Sequence, residues 1–440
     1  MKTFLRLLTV INVLLVLSVF ASCEKSDPKD PEINPFSNGG NERNMIVVIS
    51  DLHLGADLAY AECKDNLGAL EKLLQQIKAA PNVKELVIAG DLFDEWFVPA
   101  TVNTYQGKDQ ADFAKRIATA NKVVFDALNN IIQDGNILVT YVPGNHDLAF
   151  TAANIESVLL GIHQVRDEVL GLGTYSPVDY PKIAIEHGHR YNFFCAPDPF
   201  SNQDVAPGTI LPPGYFFTRI GALYELQNDL TPGDTLPIVT PNTSGDESQD
   251  LLFRYWKTWD MTVSMFPISN KFDEKIILTN VGGFTDDYSI NDLVPSQSSP
   301  GGLINLFLFN GIQDHWEARQ TYCNVAVHSE TARAIDSVNS NRETDYMANL
   351  QYFMNETSDK RIVVFGHTHE PKIIVDESYD QKKCIYVNSG TWIDHNPGKT
   401  TMNFVVITPQ GVDPSTNTLV KLYNFEKEVV TIMDENSLRY

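Results

Sequence analysis

Five short apolar runs in this chain each end, on the carboxyl side, in a cluster of aspartate, asparagine, glycine or histidine. The clusters are Asp51-Leu52-His53, Gly90-Asp91, Gly144-Asn145-His146-Asp147, His187-Gly188-His189 and Gly366-His367-Thr368-His369. Six of the ten histidines lie in four of them. The runs that precede them (MIVVIS, ELVIAG, NILVTYV, KIAIEH and RIVVFG) are short and rich in β-branched residues, the pattern of buried strands. Helical periodicity separates the first three. Leu67, Leu70, Leu74 and Ile77 share one face over residues 64–80, with Pro81 just beyond, and a second helix is predicted over residues 112–133 before Gly135. Strand–helix alternation predicts right-handed crossovers and a largely parallel central sheet. In such a sheet sites assemble outside the carboxyl ends of the strands, so the five clusters can converge.

Further along, KIIV, CIYVN, FVVIT and LVKLYNF follow one another closely and predict a closing set of antiparallel strands. Residues 193–359 differ in character. Pro and Gly gather at 197–214, 232–245 and 295–302, and helical stretches such as LLFRYWKTWDMTVSMF and RETDYMANLQYFM lie between. This region reads as a mixed helix-and-loop cap inserted into a sheet domain made of residues 45–192 and 360–440. Its aromatics Tyr215, Phe216, Phe217, Tyr255, Trp256 and Trp259 either grip a substrate or build the cap's own core, and the second is favoured. No repeat of fixed period is visible.

The amino terminus carries Lys2 and Arg6, then an apolar stretch from Leu7 to Phe20, which predicts a signal peptide over residues 1–22. Ala21-Ser22-Cys23 resembles a bacterial lipobox, predicting acylation of Cys23 and a membrane-anchored lipoprotein, periplasmic or at the cell surface. Plain secretion and an uncleaved anchor are the rival readings. Residues 23–44 are polar and rich in Pro, Gly and Asn, as a tether would be. The remaining cysteines, Cys63, Cys195, Cys323 and Cys384, form no C-x-x-C pair, and their pairing is left open. Thirty-three basic residues against 56 acidic ones give a formal charge of −23, which repels nucleic acid polymers. A small anionic substrate remains admissible, because bound cations invert the local field. Oligomeric state is not readable.

Carboxylate, amide oxygen and imidazole together suit borderline divalent ions such as Mn, Zn or Fe, while the absence of thiolates makes a structural zinc site a poor fit. Each cluster alone is weak, since Gly-Asp is also an ordinary turn dipeptide. All five in this order, each after an apolar strand, are much harder to obtain by accident.

This ordered set resembles the calcineurin-like metallophosphoesterase family over residues 45–192 and 360–394. The resemblance implies an α/β fold, a four-layer β-sandwich flanked by helices, here with the cap inserted. It implies two divalent cations: Asp51, His53 and His369 hold one, Asn145, His187 and His367 the other, and Asp91 bridges them. It further implies hydrolysis of a phosphate mono- or diester, or a pyrophosphate, by a hydroxide shared between the cations. His146 would steady the phosphoryl group or protonate the leaving oxygen, with Asp147 orienting its ring. Asn145, Arg190 and Trp96 are candidates for substrate contact. Many bacterial relatives have Asp after the His-Gly pair where this chain has His189 and Arg190, and a salt bridge is the competing role for Arg190. The segment Leu92-Phe93-Asp94-Glu95-Trp96-Phe97 resembles that of UDP-diacylglucosamine pyrophosphohydrolases, whereas the bland reading makes Trp96 and Phe97 core aromatics. Residues 387–392 resemble the strand-turn that closes many family members and supports the loop of His367 and His369. His163, His315, His328 and His395 lack partners at ligand spacing. Two alternatives stand beside the phosphoesterase: an exported lipoprotein that binds a ligand or partner on a non-catalytic scaffold, and a nuclease or nucleotidase.

Overall fold

The computed structural model describes residues 33–227, 233–337, 341–411 and 416–440. The predicted signal peptide, Cys23 and the first part of the tether lie outside the described residues. Among the described residues no helix is long and apolar enough to cross a membrane.

In chain order the first part contains β1 (Met45–Ile49), α1 (Leu67–Ala79), β2 (Val83–Ala89), α2 (Gln110–Ala120), α3 (Lys122–Asp134), β3 (Leu138–Val142), α4 (Ala152–Glu156), β4 (His163–Gln164) and β5 (Ile183–Ile185). Then come α5 (Pro213–Gln227), α6 (Glu247–Met265), two-residue strands β6 (Ile277–Leu278), β7 (Asp287–Tyr288), β8 (Ser296–Gln297) and β9 (Ile304–Asn305), and helices α7 (Trp316–Tyr322), α8 (Thr331–Asp336) and α9 (Asn341–Ala348). A π turn at Asn349–Phe353 leads to β10 (Ile362–Phe365), β11 (Lys372–Glu377), β12 (Lys383–Asn388), β13 (Asn403–Thr408), β14 (Thr418–Glu426) and β15 (Val429–Leu438).

Two sheets result. The larger has the order β15-β14-β13-β1-β2-β3-β4, the smaller β11-β12-β10-β5. Strands β1 to β4 run parallel, as the crossovers predict, while β13 to β15 add antiparallel to β1. In the smaller sheet β5, β10 and β12 are parallel and β11 is antiparallel. The sheet is therefore mixed. The predicted closing strands do not form one antiparallel set but divide between the two sheets. β15 was not foreseen, because VVTIMDENSL is largely exposed and carries acidic residues that blur the alternation.

Side chains alternate across each strand. Ile46 and Val48 of β1, with Val87, Ile185, Val364 and Val387, fill the space between the sheets. Val47 and Ile49 face the other way, in one continuous cluster with Leu70, Leu74 and Ile77 of α1 and Leu128 of α3. The sandwich thus has two sheets with helices outside, the layering the resemblance implied. The cluster continues into the region read as an insertion, where Tyr215, Phe216, Tyr255 and Trp259 are buried in it.

The single helix predicted over 112–133 is two, broken at Asn121. The Asn121 amide donates to the carbonyls of Gly55 (2.8 Å) and Ile117 (2.9 Å), so the residue at the break is tied both to α2 and to the loop after β1. Helix α3 ends at Gly135, whose φ of 69° is the left-handed stop that glycine tolerates. The distal tether is not free: Phe36 is buried against Phe404, ring centroids 5.7 Å apart. One apolar residue in a polar stretch gives sequence reasoning little warning of such docking.

Candidate metal centre

Each candidate site residue follows a parallel strand: the ligands Asp51 and His53 after β1, Asp91 after β2, Asn145 (with His146, not a ligand) after β3, His187 after β5, and His367 and His369 after β10. The loops are bonded to one another. Asp51 N–H donates to Gly90 O, Leu52 and His53 N–H to Asp91 O, and Gly366 N–H to His187 O. Side chains add further ties: Asp51 accepts from His367 N–H (3.0 Å) and Asp91 from His146 N–H (2.8 Å). Five candidate ligands sit in the left-handed region, Asp51 (φ 53°), His53 (45°), Asp91 (52°), His367 (69°) and His369 (53°). Non-glycine residues rarely adopt it, and such strain gathers at functional sites. Gly144 and Gly366 permit the close approach, since a Cβ there would fall 2.1 Å from Asp91 Oδ1 and 2.4 Å from Asp51 Oδ2.

The donor atoms fall into two groups. In one, His53 Nε2 lies 3.1 Å from His369 Nε2, which is 3.2 Å from Asp51 Oδ1. In the other, His187 Nε2 lies 3.0 Å from Asn145 Oδ1 and 3.1 Å from Asp91 Oδ2, and His367 Nδ1 is 2.8 Å from Asn145 Oδ1. Asp91 Oδ2 is also 3.7 Å from His53 Nε2, which places it between the groups. Adjacent ligands at bond lengths of about 2.0–2.2 Å stand roughly 3 Å apart around a cation, so this spacing fits bound metal. The tautomers agree. His53 Nδ1 faces Asp94 Oδ2 (3.1 Å) and His187 Nδ1 faces Ala89 O (2.9 Å), so in the neutral form of each ring the proton sits on Nδ1 and Nε2 offers a lone pair. Asp51, His53 and His369, and likewise Asp51, Asp91 and His187, are groups able to hold a metal ion.

The calcineurin-like phosphoesterase family model matches residues 45–206. Over that stretch the chain is similar to the calcineurin-like phosphoesterases. The stretch contains Asp51, His53, Asp91, Asn145, His146 and His187 and runs past residue 192 into the region read as an insertion. His367 and His369 lie outside it and are brought back by β10. No curated protein matches the chain. A solved structure from Streptococcus pneumoniae TIGR4, described as a conserved uncharacterized protein and predicted phosphoesterase, shares 12% identity over 46% of this chain and 95% of that one, with a TM-score of 0.16. At that score the likeness carries no argument.

Within this phosphoesterase fold the structure reassigns three side chains. Asp147 does not orient His146. Its carboxylate accepts from the backbone N–H of Leu92 (2.9 Å), Phe93 (3.2 Å) and Gly144 (2.7 Å), and it ties the Asp91 loop to the Asn145 loop. Asp94 holds the ring instead, its Oδ1 2.8 Å from His146 Nδ1. Arg190 is buried and paired with Glu186 (2.8 Å) and Asp167 (2.7 Å), which removes it from substrate contact. Trp96 is 1% exposed and stacks on His146 at 5.0 Å between centroids, so it packs the imidazole in place rather than bordering open space.

Glu62, which the sequence did not single out, stands 3.3 Å from His53 Nδ1 and joins His53, Asp94 and His146 in a third cluster. Burial and the Asp94 carboxylate push its carboxyl well above the usual range. Burial would also raise Asp94, but His146 and His53 outweigh it and hold Asp94 well below the carboxylate range. Burial opposes the His146 imidazolium, yet Asp94 and Asp91 lift it to about 10. His367 is depressed to about 3 by burial and by His187.

The turn after β12 supports the site. Asn388 donates to Gly366 O (2.5 Å), Thr391 Oγ1 to Asp51 O (3.0 Å) and Trp392 N–H to Asp51 O (3.0 Å), bracing the loops of Asp51 and His367. His189 is buried and bonded to Gly171 O (3.1 Å). The cysteines at 63, 195, 323 and 384 are free thiols.

Proposed function

We propose that this chain hydrolyses a phosphate mono- or diester, or a pyrophosphate, with two divalent cations (Mn, Zn or Fe), on a small phosphorylated substrate outside the cytoplasm. The observation that carries the reading is the convergence of seven oxygen and nitrogen donors, from the carboxyl ends of strands in both sheets, at ligand spacing, with Asp91 between the two groups. Bound cations would supply Lewis acidity toward the phosphoryl oxygens and activate water. Asp51, His53 and His369 would hold one, and Asn145, His187 and His367 the other.

The chain's own contribution is placement of charge and of a proton. Asp94 fixes the His146 proton on Nδ1 and favours the imidazolium, which leaves Nε2–H to donate to a phosphoryl or leaving oxygen. Trp96 covers one ring face and restricts its rotation. Asn145 offers a neutral oxygen between two imidazoles, which lowers the negative charge facing an anionic substrate. We also propose that the chain is exported and held at a bacterial membrane by lipid on Cys23, a reading supported by the sequence of its amino terminus.

The test is hydrolysis of p-nitrophenyl phosphate and its bis ester by purified protein with Mn, before and after chelation, alongside His146→Ala. Expected are metal-dependent turnover and a His146→Ala protein that keeps two metals but loses rate. Metal-loaded wild type that hydrolyses no phosphate substrate would instead favour a binding lipoprotein.

A further inference from the structure

We infer that Glu186, clamped by Arg190 and Tyr352, is the positioning residue through which the π turn before β10 sets the metal affinity of the His187 side of the centre; this rests on the two-cation reading above. Glu186 directly precedes His187 and is 1% exposed. A carboxylate removed from water must be fully paired, and this one has three partners. Tyr191 and Tyr352 hydroxyls donate to Oε1 at 2.7 and 2.9 Å, and Arg190 Nε lies 2.8 Å from Oε2.

Arg190 and Tyr191 follow Glu186 by four and five residues, whereas Tyr352 lies 166 positions away. Tyr352 belongs to the π turn Asn349–Phe353, a helical irregularity often found at functional sites. Arg190 reaches further, donating to Asp167 (2.7 Å), Thr174 (3.0 Å) and the Cys323 carbonyl after α7 (3.1 Å). The same hinge carries a geometric constraint. Gly188, between His187 and Arg190, has φ 101°, and a Cβ there would meet the Phe365 ring at 2.8 Å. Tyr191 stacks on that ring (5.7 Å, 15°), and Tyr352 stands edge-on to it (6.2 Å, 73°). The phenols that hold Glu186 therefore pack on the surface that shapes the turn after His187. On the other side, Glu186 N–H donates to Val364 O and His187 O accepts from Gly366 N–H, so a shift of Glu186 is passed to the His187 main chain and to the loop of His367. None of these contacts involves His146 or the donor atom of a candidate ligand, so the role is to aim His187 rather than to react.

The experiment uses the full mature chain with manganese alone. Tyr352→Phe removes one hydroxyl from Glu186 and keeps the ring packing; Glu186→Gln keeps the shape and removes the charge. Equilibrium dialysis should show one of the two manganese ions bound roughly ten-fold more weakly in each variant, with the other unchanged, in the range expected for groups behind metal ligands. The visible spectrum of cobalt-loaded protein should change in one band set only, and the Tyr352→Phe melting temperature should stay close to wild type. Unchanged affinity in both variants overturns the inference and leaves the two-cation reading standing. Equal weakening of both ions together with a lowered melting temperature also overturns it, as a general folding effect. Wild type that takes up no manganese overturns both.

Discussion

Asp94 Oδ1 lies 2.8 Å from Nδ1 of His146, and its Oδ2 lies 3.1 Å from Nδ1 of His53. One buried carboxylate therefore sets the tautomer of a candidate metal ligand and of the imidazole proposed as proton donor, and both rings keep Nε2 for other partners. Asp147, the neighbour of His146 in the chain, bonds only to backbone N–H groups among the contacts described above.

Asp94→Asn should lower turnover by about 10- to 100-fold and weaken a cation at His53, with some loss of melting temperature because the buried carboxylate pairs with His146. Asp147→Asn should lower the melting temperature through the three N–H groups it serves while leaving the pH–rate profile of the folded protein intact. Steady-state rates, metal analysis and thermal melts separate the two, and equal effects on rate would contradict the assignment.

Gly144→Ala places a methyl group where Asp91 Oδ1 now lies, 2.1 Å from the ideal Cβ. Because the obstacle is a ligand held in the left-handed region, the carboxylate must move. Loss of at least one metal ion, and a destabilisation of roughly 1–3 kcal/mol, are expected by metal analysis and denaturant unfolding.

Manganese affinity should rise with pH between about 7 and 9. Burial opposes the His187 imidazolium, but Asp91 and Asp51 raise it from 6.5 to about 9 in the metal-free chain. Below about pH 6.5 the charged ring stabilises the folded metal-free protein, and that contribution disappears as pH climbs through 9. A metal ligand must be neutral, so binding at pH 7–8 should release about one proton from this site. Calorimetry in buffers of different ionisation enthalpy reads the proton count; a pH-independent affinity would rule the linkage out.

Cys23→Ser should move the protein from the membrane to the soluble fraction of cells that export it, without loss of phosphatase activity per molecule. Fractionation followed by assay checks both, and persistence in the membrane fraction would remove the lipid anchor from the reading.

Much of this centre was legible because the chemistry is local to strand ends. MIVVIS and RIVVFG are buried on both faces, so their apolar runs stand out, and the polar residues that follow mark the loops. Pairing across the sequence was not legible. Asp94 and His146 are 52 positions apart, and adjacency favoured Asp147 for a role that only tertiary packing could assign. Arg190 likewise found Asp167, 23 positions away in a loop without periodicity, and its burial follows from that partner and Glu186 rather than from any local pattern. Glu62 carried no motif at all, since it precedes α1 in an irregular segment.

The amide hydrogens of Leu52, His53 and His367 are locked onto oxygens of neighbouring loops. Functional loops are usually the compliant parts of a fold, open to solvent and quick to exchange. Here the edge that carries the candidate ligands is cross-laced, and deuterium should enter it as slowly as it enters the strands below. Whatever breathing admits a substrate then belongs to the chain that surrounds this edge, and the edge itself acts as an anvil.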